Sequence, residues 1–341
     1  MTLDSTSTSA SAPQSVQPAS ALGSEGAPRR RDPQRRRKRR GTLARLDRRV
    51  SPYLLVAPFF VLFAIFGLFP LLYTGWVSLH DWNLISGGDH PFVGLGNYIQ
   101  LFTDPYFWNA LVNTVGIFVI ATIPQLLMAL VIAEVLNRRL RARSFFRMGI
   151  LLPFVSSVAA VAIIFKQLFG ERYGLINYVI GLVGIDPIAW QTNRLASWVA
   201  IATMVDWRWT GYMALIYLAA MQAIPRVLYE AAEIDGASPW RRFWTITVPM
   251  LRPTLIFTVV IATIGGMLLV VEPMLFDPNP STATGGASRQ FQTLQLLLYE
   301  VGFKDFEFGY AAAIGWVLFL IVIVVALLNY LLTRNVRDTG Q

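Results

Sequence analysis

The 341-residue sequence contains no cysteine and two histidines, and only 14% of its residues are charged. Without cysteine, a disulfide scaffold, a cysteine-ligated zinc site and an iron–sulfur cluster are excluded. His80 and His90 do not form the HExxH signature of zinc peptidases, and no GxSxG nucleophile motif is present. None of the three lysines follows a glycine, so the GxxxxGK[ST] phosphate-binding loop is missing. We therefore expect no catalytic residue, metal or cofactor in this chain.

The few charges are also unevenly distributed. Ser51–Leu79, Tyr106–Ala133 and Phe308–Thr333 contain no Asp, Glu, Lys or Arg. Each run exceeds the roughly 20 residues that a helix needs to cross a bilayer. A single soluble globule is excluded, and the runs are too long and too continuously apolar for barrel strands. The sequence predicts an all-α, polytopic membrane protein.

We predict six transmembrane helices. They cover Pro52–Leu79, Asn109–Leu136, Phe145–Phe169, Trp198–Gln222, Thr254–Phe276 and Tyr310–Leu332. The third contains the uncharged stretch Met148–Phe165, which is long enough to span with little tilt. Two shorter apolar stretches, Leu175–Ile185 and Leu294–Val301, are typical of interfacial or re-entrant segments.

The basic residues predict the orientation of these helices. With the N-terminus inside, the cytoplasmic segments hold 23 of the 29 Lys and Arg residues, whereas the outer loops hold four. Because cytoplasmic loops of membrane proteins are enriched in Lys and Arg, we expect both termini to be cytoplasmic.

Residues 1–50 form a region of different composition. The first part is rich in Ser, Ala and Pro, which predicts disorder, and nine of the twelve residues from Arg29 to Arg40 are basic. Such a run could bind nucleic acid, but its closeness to the first span favours contact with anionic lipid head groups. The transmembrane domain then covers 51–335, and 336–341 form a C-terminal tail.

The loop Ile224–Pro253 between the fourth and fifth spans has the pattern of two short helices. Gly236 suits the left-handed end of the first helix, and Ser238 followed by Pro239 suits the start of the second. The second helix then carries an apolar stripe: Trp240, Phe243 and Trp244. These features favour a docking element for a protein partner, with an amphipathic elbow on the membrane surface as the alternative.

The same loop resembles the EAA loop of ABC importer permeases. The resemblance rests on Glu230-Ala231-Ala232, Gly236, Ile246 and Val248-Pro249, with Val248 where the family usually has Leu. It is most similar to the carbohydrate branch, the MalF-type permeases, and covers roughly residues 50–335. Further matching text is "FVGLGNYIQLF", Asn113-Thr114, Leu151-Leu152-Pro153, Thr284-Gly285-Gly286 (followed by Ala287 rather than the usual Pro) and "FGYAAA" from Phe308.

The resemblance implies a permease in a bacterial cytoplasmic membrane that imports a sugar or oligosaccharide by alternating access. Its implied partners are a second related permease, a cytoplasmic ATPase dimer that carries the ATP and Mg, and an extracellular sugar-binding protein. The EAA segment is then the coupling helix that contacts the ATPase. The expected contact residues are Glu230, Ala231, Ala232, Asp235 and Gly236.

A substrate pathway is expected in the fourth and fifth spans. Charged residues within a span usually pair or face a cavity, and aromatic faces beside polar groups suit sugar rings. The resemblance implies that the fourth span lines the sugar site. The candidate residues are Asp206, Arg208, Trp209, Tyr212 and Glu272. For Asp206 and Arg208 the alternative is structural pairing with the partner subunit, and for the neighbouring Trp207 it is a position in the outer membrane interface. Asn113 and Gln125 are interpreted as helix-packing residues.

Several functions remain open at the level of sequence. The stretch around Thr284 most resembles permeases for cellobiose or other β-glucosides from high-GC Gram-positive bacteria, with trehalose, maltodextrin and glycerol phosphate as rival substrates. A non-sugar ABC importer permease, for amino acids or phosphate, is a first alternative. A second is a membrane scaffold that anchors an ATPase without transporting anything. A membrane enzyme is a distant third.

Overall fold

The computed structural model of the chain describes residues 53–85, 87–138, 141–279 and 284–334. The chain divides into two compact units, of which the first ends at Phe66 and the second begins at Gly67. The predicted N-terminal tail, 1–50, and the predicted C-terminal tail, 336–341, lie outside the described residues.

The secondary structure of the described residues is helical, apart from isolated bridges that pair His80 with Phe92 and Asn83 with Glu307. The helices are α1 (Tyr53–Val77), α2 (Gly96–Thr103), α3 (Pro105–Asn137), α4 (Arg143–Val155), α5 (Val158–Leu168), α6 (Leu175–Gly181), α7 (Arg194–Gln222), α8 (Arg226–Ile234), α9 (Pro239–Met250), α10 (Arg252–Met267), α11 (Val271–Phe276), α12 (Leu294–Phe303) and α13 (Phe308–Arg334).

Helices α1, α3 and α13 are each long and apolar enough to cross a membrane. Three pairs meet the same measure only together, and each pair is bent: α4 and α5 by 90°, α7 and α8 by 73°, and α9 and α10 by 68°. If each bent pair counts as one span, the described residues contain up to six. The all-α, polytopic class is confirmed, whereas the six-span count and the cytoplasmic termini stay predictions.

The third predicted span, Phe145–Phe169, is divided between two helices. Helix α4 ends at Val155, two residues after Pro153, and Ser156 adopts an extended backbone. Proline removes one helical hydrogen bond and clashes with the preceding turn, which favours a bend nearby. The Ser156 hydroxyl donates to the Leu152 carbonyl at 3.0 Å and thereby pairs one carbonyl at the helix end.

The fifth predicted span, Thr254–Phe276, is also broken. Helix α10 ends at Met267, and α11 begins at Val271. Pro273 has no N–H, so the Leu269 carbonyl, four residues earlier, would lack a helical donor. That carbonyl instead accepts a hydrogen bond from the Thr293 hydroxyl at 2.6 Å. The break is therefore compensated by a neighbouring loop, which a pattern of apolar residues does not reveal.

Helix α7 lies at the centre of the second unit and packs most extensively along α3. Two glycines permit close approach of its neighbours, because small residues let helix backbones come together. A Cβ added at Gly116 of α3 would stand 2.3 Å from the Trp198 ring of α7. A Cβ added at Gly211 of α7 would stand 1.9 Å from the Ile150 carbonyl oxygen of α4.

We predict that Gly211→Ala lowers the thermal stability of the purified protein, because a backbone oxygen cannot move aside as a flexible side chain can. Overpacking of this kind costs about 1–3 kcal/mol or more. Gly149→Ala on α4 is the matched control, since an added Cβ there meets nothing within 4 Å. Size-exclusion chromatography after heating measures both variants. Equal melting temperatures would contradict the packing described.

Candidate functional site

The segment between α7 and α10 folds as two short helices joined at Gly236, as the sequence predicts. The Ala237 N–H donates to the Ala232 carbonyl at 2.9 Å, and the Gly236 N–H donates to the Glu233 carbonyl at 3.1 Å. This pair of bonds is the Schellman end of a helix, and it requires the left-handed φ of +75° that Gly236 adopts. Helices α8 and α9 with this turn, residues 226–250, are called the coupling segment below.

Side chains hold the two halves of the coupling segment together. Glu233 of α8 forms an ion pair with Arg242 of α9 at 3.2 Å. The Tyr229 hydroxyl lies 2.8 Å from that of Thr247, which is buried. The Glu233 carboxylate is largely exposed, so the ion pair contributes little on its own. Together the two contacts fix the angle between α8 and α9.

Most of the expected ATPase-contact residues are accessible. Glu230, Ala231, Asp235 and Gly236 are exposed, and Ala232 is half-buried. Large apolar side chains are exposed beside them: Ile234 at 87%, Trp240 at 71% and Val227 at 64%. No other part of the described chain covers this surface, which has the composition of a protein-binding face.

Two of the expected pathway residues meet in an ion pair. Arg208 Nη1 of α7 lies 3.0 Å from Glu272 Oε1 of α11, and the two side chains are 13% and 6% exposed. This pair joins the long central helix to the short helix after the break in the fifth predicted span. Removing one partner of an ion pair that is shielded from water destabilises the protein, because the remaining charge stays buried without a partner.

Asp206 does not join this ion pair. It lies two residues from Arg208, and residues two apart point to different sides of a helix. Its Oδ1 atom is buried without a hydrogen-bond partner among the described residues, as are Thr210 Oγ1 and Arg208 Nε. An unpaired buried polar atom costs about 1–3 kcal/mol, so this stretch of α7 has unused capacity to bind water, a partner subunit or a polar ligand.

The expected pathway aromatics lie together against α4. Tyr212 stacks on Phe154 with ring centroids 4.6 Å apart, and Trp209 meets the same ring edge-on at 5.2 Å. Trp209 also borders a cavity of about 20 Å³ between α3, α7 and α10. Because ligand pockets usually measure about 300–1,000 Å³, this cavity is too small for a sugar. The expected residues are thus clustered, but they do not enclose a substrate site within this chain.

A loop follows α11, and no structural role was predicted for it from the sequence. The Asp277 carboxylate accepts N–H groups from Asn279 at 2.9 Å, Gly285 at 2.9 Å and Gly286 at 2.8 Å. Both glycines have φ near +90°, in the left-handed region that favours glycine. The Thr284-Gly285-Gly286 motif therefore serves to fold the backbone around a carboxylate.

The far end of this loop is bonded to α3. The Asn113 amide donates to the carbonyls of Arg289 at 2.9 Å and Gln292 at 3.0 Å. The Thr114 hydroxyl accepts the Leu294 N–H at 2.9 Å. Asn113, interpreted above as a packing residue, thus anchors a loop. The available signal was a polar Asn-Thr pair near the start of an uncharged span, where polar groups must find partners.

A polar cleft of about 340 Å³ lies where the segment after α1 meets the start of α13, with Asp81, Asn97 and Glu307 among its lining residues. Burial raises the pKa of Glu307, and the carboxylates of Asp305 and Asp81 raise it further. Among the described residues, no group of three or more His, Asp or Glu side chains is placed to hold a metal ion.

Comparisons with known proteins agree on one family. The sequence profile described as "Binding-protein-dependent transport system inner membrane component" matches residues 117–338. The lactose transport system permease protein of Rhizobium radiobacter is 39% identical, over 84% of this chain and 95% of the relative. An arabinooligosaccharides transport system permease protein of Bacillus subtilis is 34% identical, over 86% and 92%. The trehalose/maltose transport system permease protein of Thermococcus litoralis is 31% identical, over 84% and 94%.

Solved structures share the fold. A chain of a bacterial alginate ABC transporter, crystallised with its alginate pentasaccharide-bound periplasmic protein, superposes with a TM-score of 0.72. That match covers 87% of this chain and 99% of the other at 21% sequence identity. A second alginate transporter structure gives a TM-score of 0.68 at 20% identity, over 86% and 98%.

We predict that Glu272→Gln and Arg208→Gln each reduce thermal stability, and that the double variant loses less than the sum. Each single change leaves one buried charge without its partner, which costs about 3–5 kcal/mol in comparable pairs. The double-mutant cycle, measured by thermal unfolding in detergent, reports the coupling between the two side chains. Additive losses would show that the two groups do not interact.

Proposed function

The chain belongs to the family of inner membrane components of binding-protein-dependent transport systems, and on this premise we propose that it forms one half of the membrane pathway of a sugar importer. It is a transport component rather than an enzyme. Its location is the bacterial inner membrane, which it crosses several times.

The observation that carries the proposal is the coupling segment. It presents Glu230, Asp235 and the exposed Ile234 on a braced two-helix elbow, with nothing from the described chain over them. A surface of this kind suits a cleft on a separate ATPase. Because Arg242 and Tyr229 tie α8 to α9, a displacement imposed on α8 would pass to α10 rather than dissipate within the turn.

The mechanism follows from this placement. ATP and Mg bind to the ATPase dimer, whose closure moves the coupling segments of two permeases. Such a rigid-body change is driven by the differential affinity of the ATPase for the two arrangements. Because the chain bends between α7 and α8 and again between α9 and α10, the coupling segment joins the C-terminal end of α7 to the N-terminal end of α10. Movement of the segment would therefore reorient α7 and α10 together.

We place the substrate pathway along the stretch of α7 that contains Asp206, Arg208 and Thr210. Their unpaired buried atoms support contact with polar groups supplied from outside this chain. The cavity beside Trp209 is too small for a sugar, so the pathway would be completed by a second, related permease. Trp209 and Tyr212 then provide apolar ring faces, and the Arg208–Glu272 pair provides polar edges for hydroxyl groups.

Sugars are the substrate class that we favour. The relatives named above are permeases for lactose, arabinooligosaccharides and trehalose/maltose, and the related structures come from alginate transporters. These names agree with the carbohydrate branch that the sequence motifs indicate. Cellobiose or another β-glucoside stays our candidate within that class. An extracellular sugar-binding protein would deliver it.

One prediction of the proposed function concerns the turn at Gly236. Gly236→Pro is expected to reduce uptake to the background level while the protein still inserts into the membrane. Proline fixes φ near −65°, whereas this position adopts +75°, and it also removes the N–H that bonds to Glu233. Gly236→Asn is the matched control, because Asn tolerates the left-handed region and keeps the N–H. Unchanged uptake by the proline variant would refute the coupling role.

The second prediction concerns the substrate. We expect the complete transporter in proteoliposomes to hydrolyse ATP faster when its binding protein carries a mono- or oligosaccharide. The test compares cellobiose, lactose, trehalose, maltose and arabino-oligosaccharides with amino acids, phosphate and glycerol phosphate, and it measures uptake in parallel. Stimulation by a non-sugar alone would favour a different importer class. ATP hydrolysis that no solute changes, without uptake, would favour the scaffold alternative.

A further inference from the structure

An apolar groove of about 510 Å³ lies between the last turns of α3 and the start of α9. Leu127, Val131 and Val135 form its wall on α3, and Trp240 and Trp244 form its wall on α9. The volume falls within the range of small-molecule pockets, about 300–1,000 Å³. The side chains on both walls are exposed, from 48% at Val135 to 71% at Trp240. The expected substrate-pathway residues do not line this groove.

The groove changes polarity along its length. On α3 it runs from Leu127 through apolar turns to Glu134 and Arg138, which lie at its far end. The eleven residue steps from Leu127 to Arg138 rise about 16 Å along the helix. This length is close to half of the roughly 30 Å hydrocarbon core of a bilayer, the depth of one leaflet. The whole groove is therefore about as long as one leaflet is deep, with its apolar residues at one end and its charged residues at the other.

The charged end is basic overall. Arg138 lies 3.8 Å from Glu134, so the two charges that line the groove balance each other, and the basic excess comes from exposed arginines beside it. The chain then continues to Arg141, which is exposed. On α9, Arg241 directly follows Trp240 and is exposed. Each basic residue near a membrane surface attracts anionic lipids, and basic pockets beside membrane helices on this side typically hold anionic head groups.

We propose that this groove is a binding site for an anionic phospholipid of the leaflet that faces the coupling segment. One acyl chain lies along Leu127 and Val131 of α3. The indoles of Trp240 and Trp244 cover the part of this acyl chain that is nearest the head group. The phosphate head group lies at Arg138. Tryptophan suits this position because its ring is apolar while its N–H can remain near the polar interface.

The bound lipid would join α3 to the second half of the coupling segment. Trp240 contacts the rings of Phe243 and Trp244, yet Trp240 and Val131 remain 71% and 61% exposed beside the groove. The competing occupant is a helix of a second permease, which would also cover an apolar wall. A protein helix, however, has no general requirement for basic residues at the end of the groove, such as Arg138 in its lining and Arg241 beside it.

The test uses the complete transporter, purified after incorporation into bilayers of equimolar phosphatidylglycerol and phosphatidylcholine. Native mass spectrometry counts the lipids that stay bound. Val131→Trp fills the groove, and its matched control is Val119→Trp, another exposed position of α3 outside the groove. Arg138→Gln removes the cation at the head group, and its control is Arg172→Gln, an exposed arginine elsewhere.

We expect the unchanged transporter to retain phosphatidylglycerol in preference to phosphatidylcholine. Arg138→Gln should reduce that preference about fivefold, which corresponds to ~1 kcal/mol. Val131→Trp should lose the bound lipid, and both control variants should retain it.

The proposal is overturned if Val131→Trp keeps as much lipid as Val119→Trp, or if the unchanged transporter shows no preference between the two lipids. It is also overturned if lipid is bound by the isolated chain but absent from the assembled transporter, because a second permease then occupies the groove. The readout is binding, so it does not depend on whether the proposed transport function is correct.

Discussion

The structure depends on one constraint, which is that every backbone carbonyl and N–H within a membrane must find a partner inside the protein. At the break after Met267, Pro273 removes the donor that Leu269 would have used, and Thr293 supplies another. Thr293 can supply this hydrogen bond only if the loop after α11 keeps its position. Asn113 holds that loop by donating to the carbonyls of Arg289 and Gln292. The break, the loop and α3 therefore form a single hydrogen-bonded unit around the place where Glu272 meets Arg208.

The same constraint explains why α7 is both the structural centre and the proposed transport element. Glycine at 211 brings its backbone against α4, and Trp198 covers Gly116 of α3 at the other end. Between these contacts lie polar atoms that the chain does not pair, at Asp206 and Thr210. A helix that is closely packed at two points can move as a rigid body and still offer the polar atoms between them to a changing environment. The coupling segment adjoins its C-terminal end through the bend after Gln222.

Much of this arrangement could be predicted from the sequence, because long uncharged runs and the Gly236–Pro239 pattern each have a local physical cause. Helix existence and the split of the coupling segment followed from such local signals, whereas the candidate roles of Trp209 and Tyr212 came from the family resemblance. The bends after Val155 and Met267 did not, because their hydrogen bonds are completed by residues far along the chain or by serine side chains. The role of Asn113 was missed for the same reason, since its partners are about 180 residues away. The pairing of Arg208 with Glu272 likewise depends on tertiary contact.

The central claim is that the coupling segment receives force from a cytoplasmic ATPase. The absence of cysteine permits a direct measurement, since Ile234→Cys places a single thiol at an 87% exposed position of this segment. A membrane-impermeant maleimide should label it in inverted vesicles stripped of the ATPase but not in intact cells. Rebinding the ATPase should protect it. Labelling from the outside of intact cells, or labelling that the ATPase does not change, would contradict the account.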